Sequence, residues 1–106
     1  MVGMLLLAAC EGSFVRSGDL GRKVSIEKSY EARDACLARN AAADGVSTTD
    51  PATLAHAVAL ACSAETDRLI VASDTSGDSR IANQIRQDSE FRALGFVMKA
   101  RNQAIF

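Results

Sequence analysis

The chain of 106 residues has no tryptophan, and aromatic residues make up only 5% of it. Much of its hydrophobic content is alanine, which buries little area per residue. We therefore expect a thin core that benefits from a covalent crosslink. A single proline and few alternating β-branched stretches argue against a β-sheet. The length allows one domain and no more.

An excess of charge of either sign is also missing, since 12 basic and 13 acidic residues give a net charge of −1. Nucleic-acid binding needs a basic excess or patch, so we expect no nucleic-acid partner. His56 is the one histidine, and a Cys/His zinc site needs four close ligands. Without those ligands, a CxxC pair or a phosphate loop, we predict a non-enzymatic protein with no cofactor or metal.

The first of two helical segments in the middle of the chain begins near residues 25–29. Glycine readily takes the left-handed conformation that ends helices, so Asp44-Gly45 predicts its stop. We expect charged residues, including Arg33, to lie on either side of the apolar face of this helix. The apolar stripe is spaced by four, seven and four residues and consists of Ile26, Tyr30, Leu37 and Ala41.

The second segment has the clearest start. Asp50 is a good N-cap, and Pro51 suits the first helical position because no N–H is needed there. From there one helix is predicted to continue to Val71. The helical period places five residues on one face, namely Leu54, Val58, Ala61, Glu65 and Leu69.

Each helical segment carries one cysteine. Cys36 lies about 12 Å along a helix from Asp44, and Cys62 lies about 16 Å from Pro51, at ~1.5 Å per residue. Folded back across the turn, the two cysteines reach nearly the same level, so a disulfide is sterically reasonable. Such a bridge would contribute roughly 3–4 kcal/mol in the chain-entropy model. Two buried free thiols are the alternative.

Turn-forming residues over 73–79 either end the second segment or only weaken one long helix, and Asp78 or Ser79 can cap a third helix. The helical spacing of its apolar residues is interrupted near residue 89, which predicts a kink or a fresh cap at Ser89. This helix either packs on the hairpin or exposes an apolar face to a partner or another copy. The predicted fold is all-α: a disulfide-linked antiparallel helical hairpin plus a third C-terminal helix, over residues 25–106.

An apolar run over residues 1–9 is too short to span a bilayer and suits the hydrophobic region of a signal peptide. Leu7-Ala8-Ala9-Cys10 resembles the lipobox of bacterial lipoproteins, in which the cysteine is diacylated and the signal is cut just before it. The resemblance implies lipid attachment at Cys10 and a lipid-anchored protein of the cell envelope that faces the periplasm. No basic residue precedes the run, so we expect the true start to lie upstream of Met1. The alternatives are an apolar start packed on the helices and an ordinary cleaved signal peptide.

Lipid on Cys10 would leave Cys36 and Cys62 to pair, because the chain has three cysteines. An exported location is oxidising, which also favours the disulfide. Residues 10–24 are rich in glycine, serine and charge, and we predict that they form a flexible tether between the lipid and the helical domain.

A second resemblance covers about residues 30–70. The motifs that carry it are Ala35-Cys36-Leu37, Pro51, Ala57-Val58 and Ala61-Cys62-Ser63-Ala64-Glu65. They are similar to small exported two-cysteine helical proteins of alphaproteobacteria, which implies a crosslinked hairpin and no known reaction. We therefore predict an envelope lipoprotein that binds or scaffolds an unknown partner, with the C-terminal helix as a candidate contact. The alternative is a small cytoplasmic helical regulator or adaptor with free thiols.

Overall fold

The computed structural model describes residues 17–43 and 48–102, while residues 1–16, 44–47 and 103–106 fall outside the description. Four helices follow one another within the described ranges: α1 (Ser17–Ala43), α2 (Pro51–Ala61), α3 (Ser63–Ser73) and α4 (Ser79–Ala100). The all-α prediction is confirmed, and these ranges contain no strand. None of the four helices is long and apolar enough to cross a bilayer.

α1 begins earlier than the sequence predicts. Its first residue is Ser17, so residues 17–24 of the predicted tether are helical. Glycine disfavours a helix by about 1 kcal/mol, but most helical stability in proteins comes from tertiary packing. α1 packs against α3, and near its start Arg22 Nη2 also donates a 2.8 Å hydrogen bond to the carbonyl oxygen of Ser73 at the end of α3. The predicted stop of α1, directly after Ala43, lies outside the described residues.

Cap residues define the starts of α2 and α4. The side chain of Asp50 accepts a 3.1 Å hydrogen bond from the backbone N–H of Thr53, and Pro51 is the first residue of α2. Asp78 caps α4 in the same way, accepting from the backbone N–H of Arg80 at 2.9 Å. Both helix starts are where the sequence predicts them.

The segment predicted as one continuous helix over residues 51–71 is two helices that meet at Cys62. The N–H of Cys62 still bonds within α2, whereas its carbonyl oxygen accepts the Thr66 N–H of α3. Ser63 Oγ donates a 2.9 Å hydrogen bond to the Leu60 carbonyl. Side-chain competition of this kind for helical carbonyls bends helices. The prediction of an unbroken second helix is therefore wrong.

α4 packs against each of the other helices and completes the core. It is continuous through Ser89, which is buried, so the predicted fresh cap at that residue is wrong, while the alternative of a kink there stays a prediction. Leu69 of α3 and Ile85 of α4 are also buried. The main cluster of buried residues lies around the α2–α3 junction and comprises Cys36, Leu37, Ala41, Leu54, Ala55, Val58, Cys62, Ala93 and Val97.

Candidate functional site

A disulfide joins Cys36 of α1 to Cys62 at the α2–α3 junction, as predicted. The sulfur atoms are 2.07 Å apart and the Cα atoms 5.9 Å apart. The two residues are 4% and 0% exposed, respectively. The bond links residues 26 positions apart, which corresponds to about 3–4 kcal/mol of stabilisation in the chain-entropy model. The protein therefore has the bridge rather than two buried free thiols.

Asn40 covers the disulfide one helical turn after Cys36. Its Nδ2 donates a 2.9 Å hydrogen bond to the carbonyl oxygen of Cys36 and lies 3.5 Å from the sulfur atoms of both Cys36 and Cys62. Reactive cysteines are partly exposed, whereas buried structural ones are inert. The surroundings of this bond favour a structural role.

Glu65 is the one other metal-ligating side chain that the described structure places beside the disulfide. A carboxylate oxygen of Glu65 and the two sulfur atoms lie within 4.8 Å of one another. Cysteine binds metals as the thiolate, and here both sulfur atoms are already bonded to each other. The oxidised protein therefore lacks the donors of a metal site at this position, and the described ranges contain no second group of this kind.

Four charged side chains form a closed ring between α1 and α4, and we call it the charge ring: Arg33, Asp34, Asp88 and Arg92. Arg33 Nη2 lies 3.0 Å from Asp34 Oδ1, and Arg33 Nη1 lies 3.0 Å from Asp88 Oδ2. Arg92 closes the ring, with Nη1 3.3 Å from Asp34 Oδ2 and Nε 3.0 Å from Asp88 Oδ2. Positive and negative groups alternate, so each charge is neutralised by two neighbours.

Arg33 extends the charge ring into the interior, where its side chain is fully buried. Its Nη1 donates a 3.2 Å hydrogen bond to Ser89 Oγ, which is 3.2 Å from Thr66 Oγ1 of α3. The guanidinium carbon also lies 5.1 Å from the ring centroid of Tyr30, a cation–π distance. A buried charge is costly unless it is paired and hydrogen-bonded. These contacts satisfy that requirement and position α1 against both α3 and α4.

Arg92 lies at the solvent edge of the charge ring. Burial by itself lowers the pKa of its guanidinium, but the nearby carboxylates of Asp34 and Asp88 outweigh that effect and raise the pKa above its ordinary value. Arg92 therefore stays charged. Because every member of the ring is neutralised by a neighbour, the ring is suited to orienting helices rather than to proton transfer.

His56 lies on the outer side of α2 and pairs with Glu90 of α4. Its Nδ1 is 2.7 Å from Glu90 Oε2, and both side chains are at least half exposed. The contact is an ion pair only while the imidazole is protonated. Exposed pairs contribute little to stability, so we assign His56 a surface contact between α2 and α4.

A shallow groove follows the solvent-facing side of α4, and we call it the α4 groove. Its described lining comes from this helix alone and consists of Asp88, Phe91, Arg92, Gly95, Phe96 and Lys99. Phe91 is 59% exposed, while Phe96 is partly buried against the core. Lys99 has no ion-pair partner among the residues described. Aromatic residues are enriched in protein–protein interfaces, which makes this groove a candidate interaction surface.

Arg101, at the C-cap of α4, contains buried polar atoms that have no hydrogen-bond partner among the residues described. These atoms are Nε and Nη2, and no other buried side-chain nitrogen or oxygen in the described ranges is unsatisfied. A cation suits the negative end of a helix dipole, but an unmade hydrogen bond in the interior costs about 1–3 kcal/mol. We therefore expect this guanidinium to lower the stability of the fold.

The structure brings together the predicted disulfide residues Cys36 and Cys62, and it leaves the predicted lipid-attachment residue Cys10 outside the described ranges. Sequence reasoning missed Arg33 and Ser89, which form the interior part of the network. A signal was present, since Arg33 lies four residues before Leu37 and Ser89 lies midway between Ile85 and Ala93 on the buried face of α4. No protein-family model, curated protein or solved structure matches the chain.

Proposed function

We propose that the protein is a small non-enzymatic lipoprotein of the cell envelope, anchored by lipid on Cys10 and facing the periplasm. Its helical domain would bind or scaffold a partner. The observation that carries the proposal is the bond between Cys36 and Cys62. It leaves Cys10 as the odd cysteine of three, directly after the run that resembles a lipobox. A disulfide is also compatible with an oxidising, exported location.

In this proposal the domain is an antiparallel hairpin of α1 against α2 and α3, with α4 as the additional helix. Two contacts support the opposed directions of the hairpin arms. Cys36 meets Cys62, and Arg22 meets Ser73. The later residue of α1 therefore contacts the earlier residue of the second arm, as in an antiparallel hairpin.

The binding role rests on the α4 groove, where Phe91 is exposed between charged side chains. Burial of the Phe91 side chain against a partner removes apolar surface from water and is favourable. The net charge of −1 gives no reason to expect nucleic acid, so we propose a protein partner.

The lipid anchor is tested by mass spectrometry of the membrane fraction, with the protein expressed from its own locus so that any upstream residues are retained. We expect a mature chain that begins at Cys10 and carries diacylglycerol. The matched variant Cys10→Ser should lack the lipid and leave the membrane fraction. An unmodified Cys10 in a chain that keeps residues 1–9 would overturn the proposal.

Thiol labelling of freshly lysed cells separates this proposal from a cytoplasmic regulator or adaptor with free thiols. The regulator predicts that all three cysteines react without reduction. The envelope proposal predicts that none reacts, because Cys10 is blocked by lipid and the other two are paired. Cys36 and Cys62 should become reactive only after the protein is unfolded and reduced.

A further inference from the structure

We propose that the α4 groove is the contact surface of a symmetric homodimer, in which a second copy of the chain lays its own α4 antiparallel along the first. This inference rests on the binding role proposed for the groove and names the partner as another copy of the chain. The order of the residues that line the groove supports this pairing.

The six lining residues complement one another when two copies of α4 run antiparallel. In an antiparallel pair, residue numbers rise along one helix and fall along the other by the same distance per residue. Two residues that lie opposite each other therefore have numbers whose sum is the same for every such pair. A twofold axis between positions 93 and 94 makes three kinds of pair, which are Asp88 with Lys99, Phe91 with Phe96, and Arg92 with Gly95. Every residue of the groove therefore meets another groove residue, as a twofold interface requires.

The charges favour this arrangement. Lys99 has no ion-pair partner in the described ranges, and the antiparallel arrangement places it at Asp88 of the second copy. Asp88 already accepts from Arg33 and Arg92, but a carboxylate has about four lone-pair sites and can accept from a further donor. Symmetry forms this contact twice. A parallel arrangement would instead place each charge opposite an identical one, so charge selects the antiparallel direction.

The apolar residues fit the same arrangement. The exposed ring of Phe91 meets Phe96 of the second copy, and symmetry again forms the contact twice. Aromatic pairs stabilise an interface beyond the area that they bury. Gly95, whose side chain is a single hydrogen, lies opposite the long side chain of Arg92. A long side chain thereby lies opposite the smallest one of the groove.

Sedimentation equilibrium of the purified full chain, with its disulfide intact and in density-matched detergent, tests the proposal. We expect a reversible monomer–dimer equilibrium. Phe91→Ala should weaken the dimer about tenfold or more, because two aromatic pairs are lost. Leu60→Ala is the matched control, since Leu60 is also 59% exposed but lies outside the groove, and it should leave the equilibrium unchanged.

A charge reversal gives a second pair of variants. Lys99→Glu places like charges opposite Asp88 at two sites and should weaken the dimer about tenfold at low salt, with a smaller effect at high salt. Lys23→Glu, at an exposed lysine of α1, changes the net charge equally and should have no effect. Circular dichroism of each variant establishes that the helices are retained.

The direction of pairing is tested by p-benzoylphenylalanine in place of Phe91, with unlabelled and ¹⁵N-labelled chains mixed before irradiation. We expect crosslinks between copies that map next to Phe96. A monomer at all concentrations, a dimer insensitive to both groove variants, or crosslinks elsewhere would overturn the inference and leave the lipid-anchor proposal standing. Conversely, an unmodified Cys10 would overturn that proposal without affecting the dimer.

Discussion

Arg33 Nη1 and Asp88 Oδ2 lie 3.0 Å apart and join the interior of α1 to the solvent edge of α4. The arginine side chain is fully buried, whereas that of Asp88 is 40% exposed. Removal of one member of such a pair leaves the other less satisfied, which is more harmful than replacement of the whole pair by apolar residues. The charge ring therefore specifies how α1 and α4 are positioned against each other.

Arg33→Ala should lower the free energy of unfolding by about 2–5 kcal/mol, because it empties a fully buried site and leaves Ser89 without that hydrogen-bond donor. Arg86→Ala is the matched control, since it breaks a 3.3 Å pair with Asp67 in which both side chains are more than half exposed. That change should cost less than about 1 kcal/mol. Urea denaturation followed by circular dichroism measures both, and equal losses would contradict the role assigned to Arg33.

Joint replacement of Cys36 and Cys62 by alanine should lower the free energy of unfolding by about 3–4 kcal/mol, because the unfolded chain regains the freedom that the crosslink removes. The double variant avoids a lone buried thiol. Denaturant titration of this variant and of the oxidised wild type gives the difference. A loss below about 1 kcal/mol would mean that the unfolded chain is already constrained in other ways.

Asp74 should make stability depend on pH. It accepts hydrogen bonds from Ser76 Oγ at 2.6 Å, from the Ser76 N–H at 3.1 Å and from the Asp78 N–H at 2.7 Å. These bonds, led by that from the Ser76 side chain, lower the pKa of Asp74 below its ordinary value of 3.8. A carboxyl whose pKa is lower in the folded state adds stability above its unfolded pKa. That stability is lost as the pH falls through the folded pKa.

Asp74→Asn should consequently be less stable than the wild type at neutral pH, and the difference should shrink as the pH falls below 3.8. Denaturation at several pH values measures this trend, and carbon NMR of the carboxyl group reports the pKa directly. Glu27→Gln, at an exposed position of α1, serves as the control. A difference that persists unchanged in acid would contradict the assignment.

Arg101→Met should leave stability unchanged or raise it by about 1 kcal/mol, because it removes buried nitrogen atoms that make no hydrogen bond while keeping most of the side-chain volume. The same substitution at Arg92 should instead be destabilising, since Asp34 and Asp88 lose a partner. Thermal unfolding of the two variants compares them. A clear loss of stability in Arg101→Met would indicate a partner outside the described residues.

Local signals in the sequence were sufficient for the start of α2. Asp50 and Pro51 act on the backbone beside them, so their effect does not depend on the rest of the fold. The pairing of Cys36 with Cys62 could also be predicted, because each lies a similar distance from one turn. The lipid on Cys10, the location and the partner stay predictions.

Features that depend on distant partners could not be predicted in this way. Arg33 is charged, and its burial is acceptable only because Ser89, 56 residues later, and Asp88 reach it. The burial of Ser89 was missed for the same reason, since its partners are on other helices. The early part of α1 likewise has a partner far along the chain, since Arg22 donates a hydrogen bond to the end of α3.

The disulfide is attached within α1 rather than at its end. A pull on the N-terminal end of α1 can unwind that helix only as far as Cys36, and the contact between Arg22 and Ser73 lies on the way. Beyond that point the tension passes through a covalent bond to Cys62. A molecule held by its N-terminal end would therefore lengthen by uncoiling about two-thirds of α1 while its core remained closed under load.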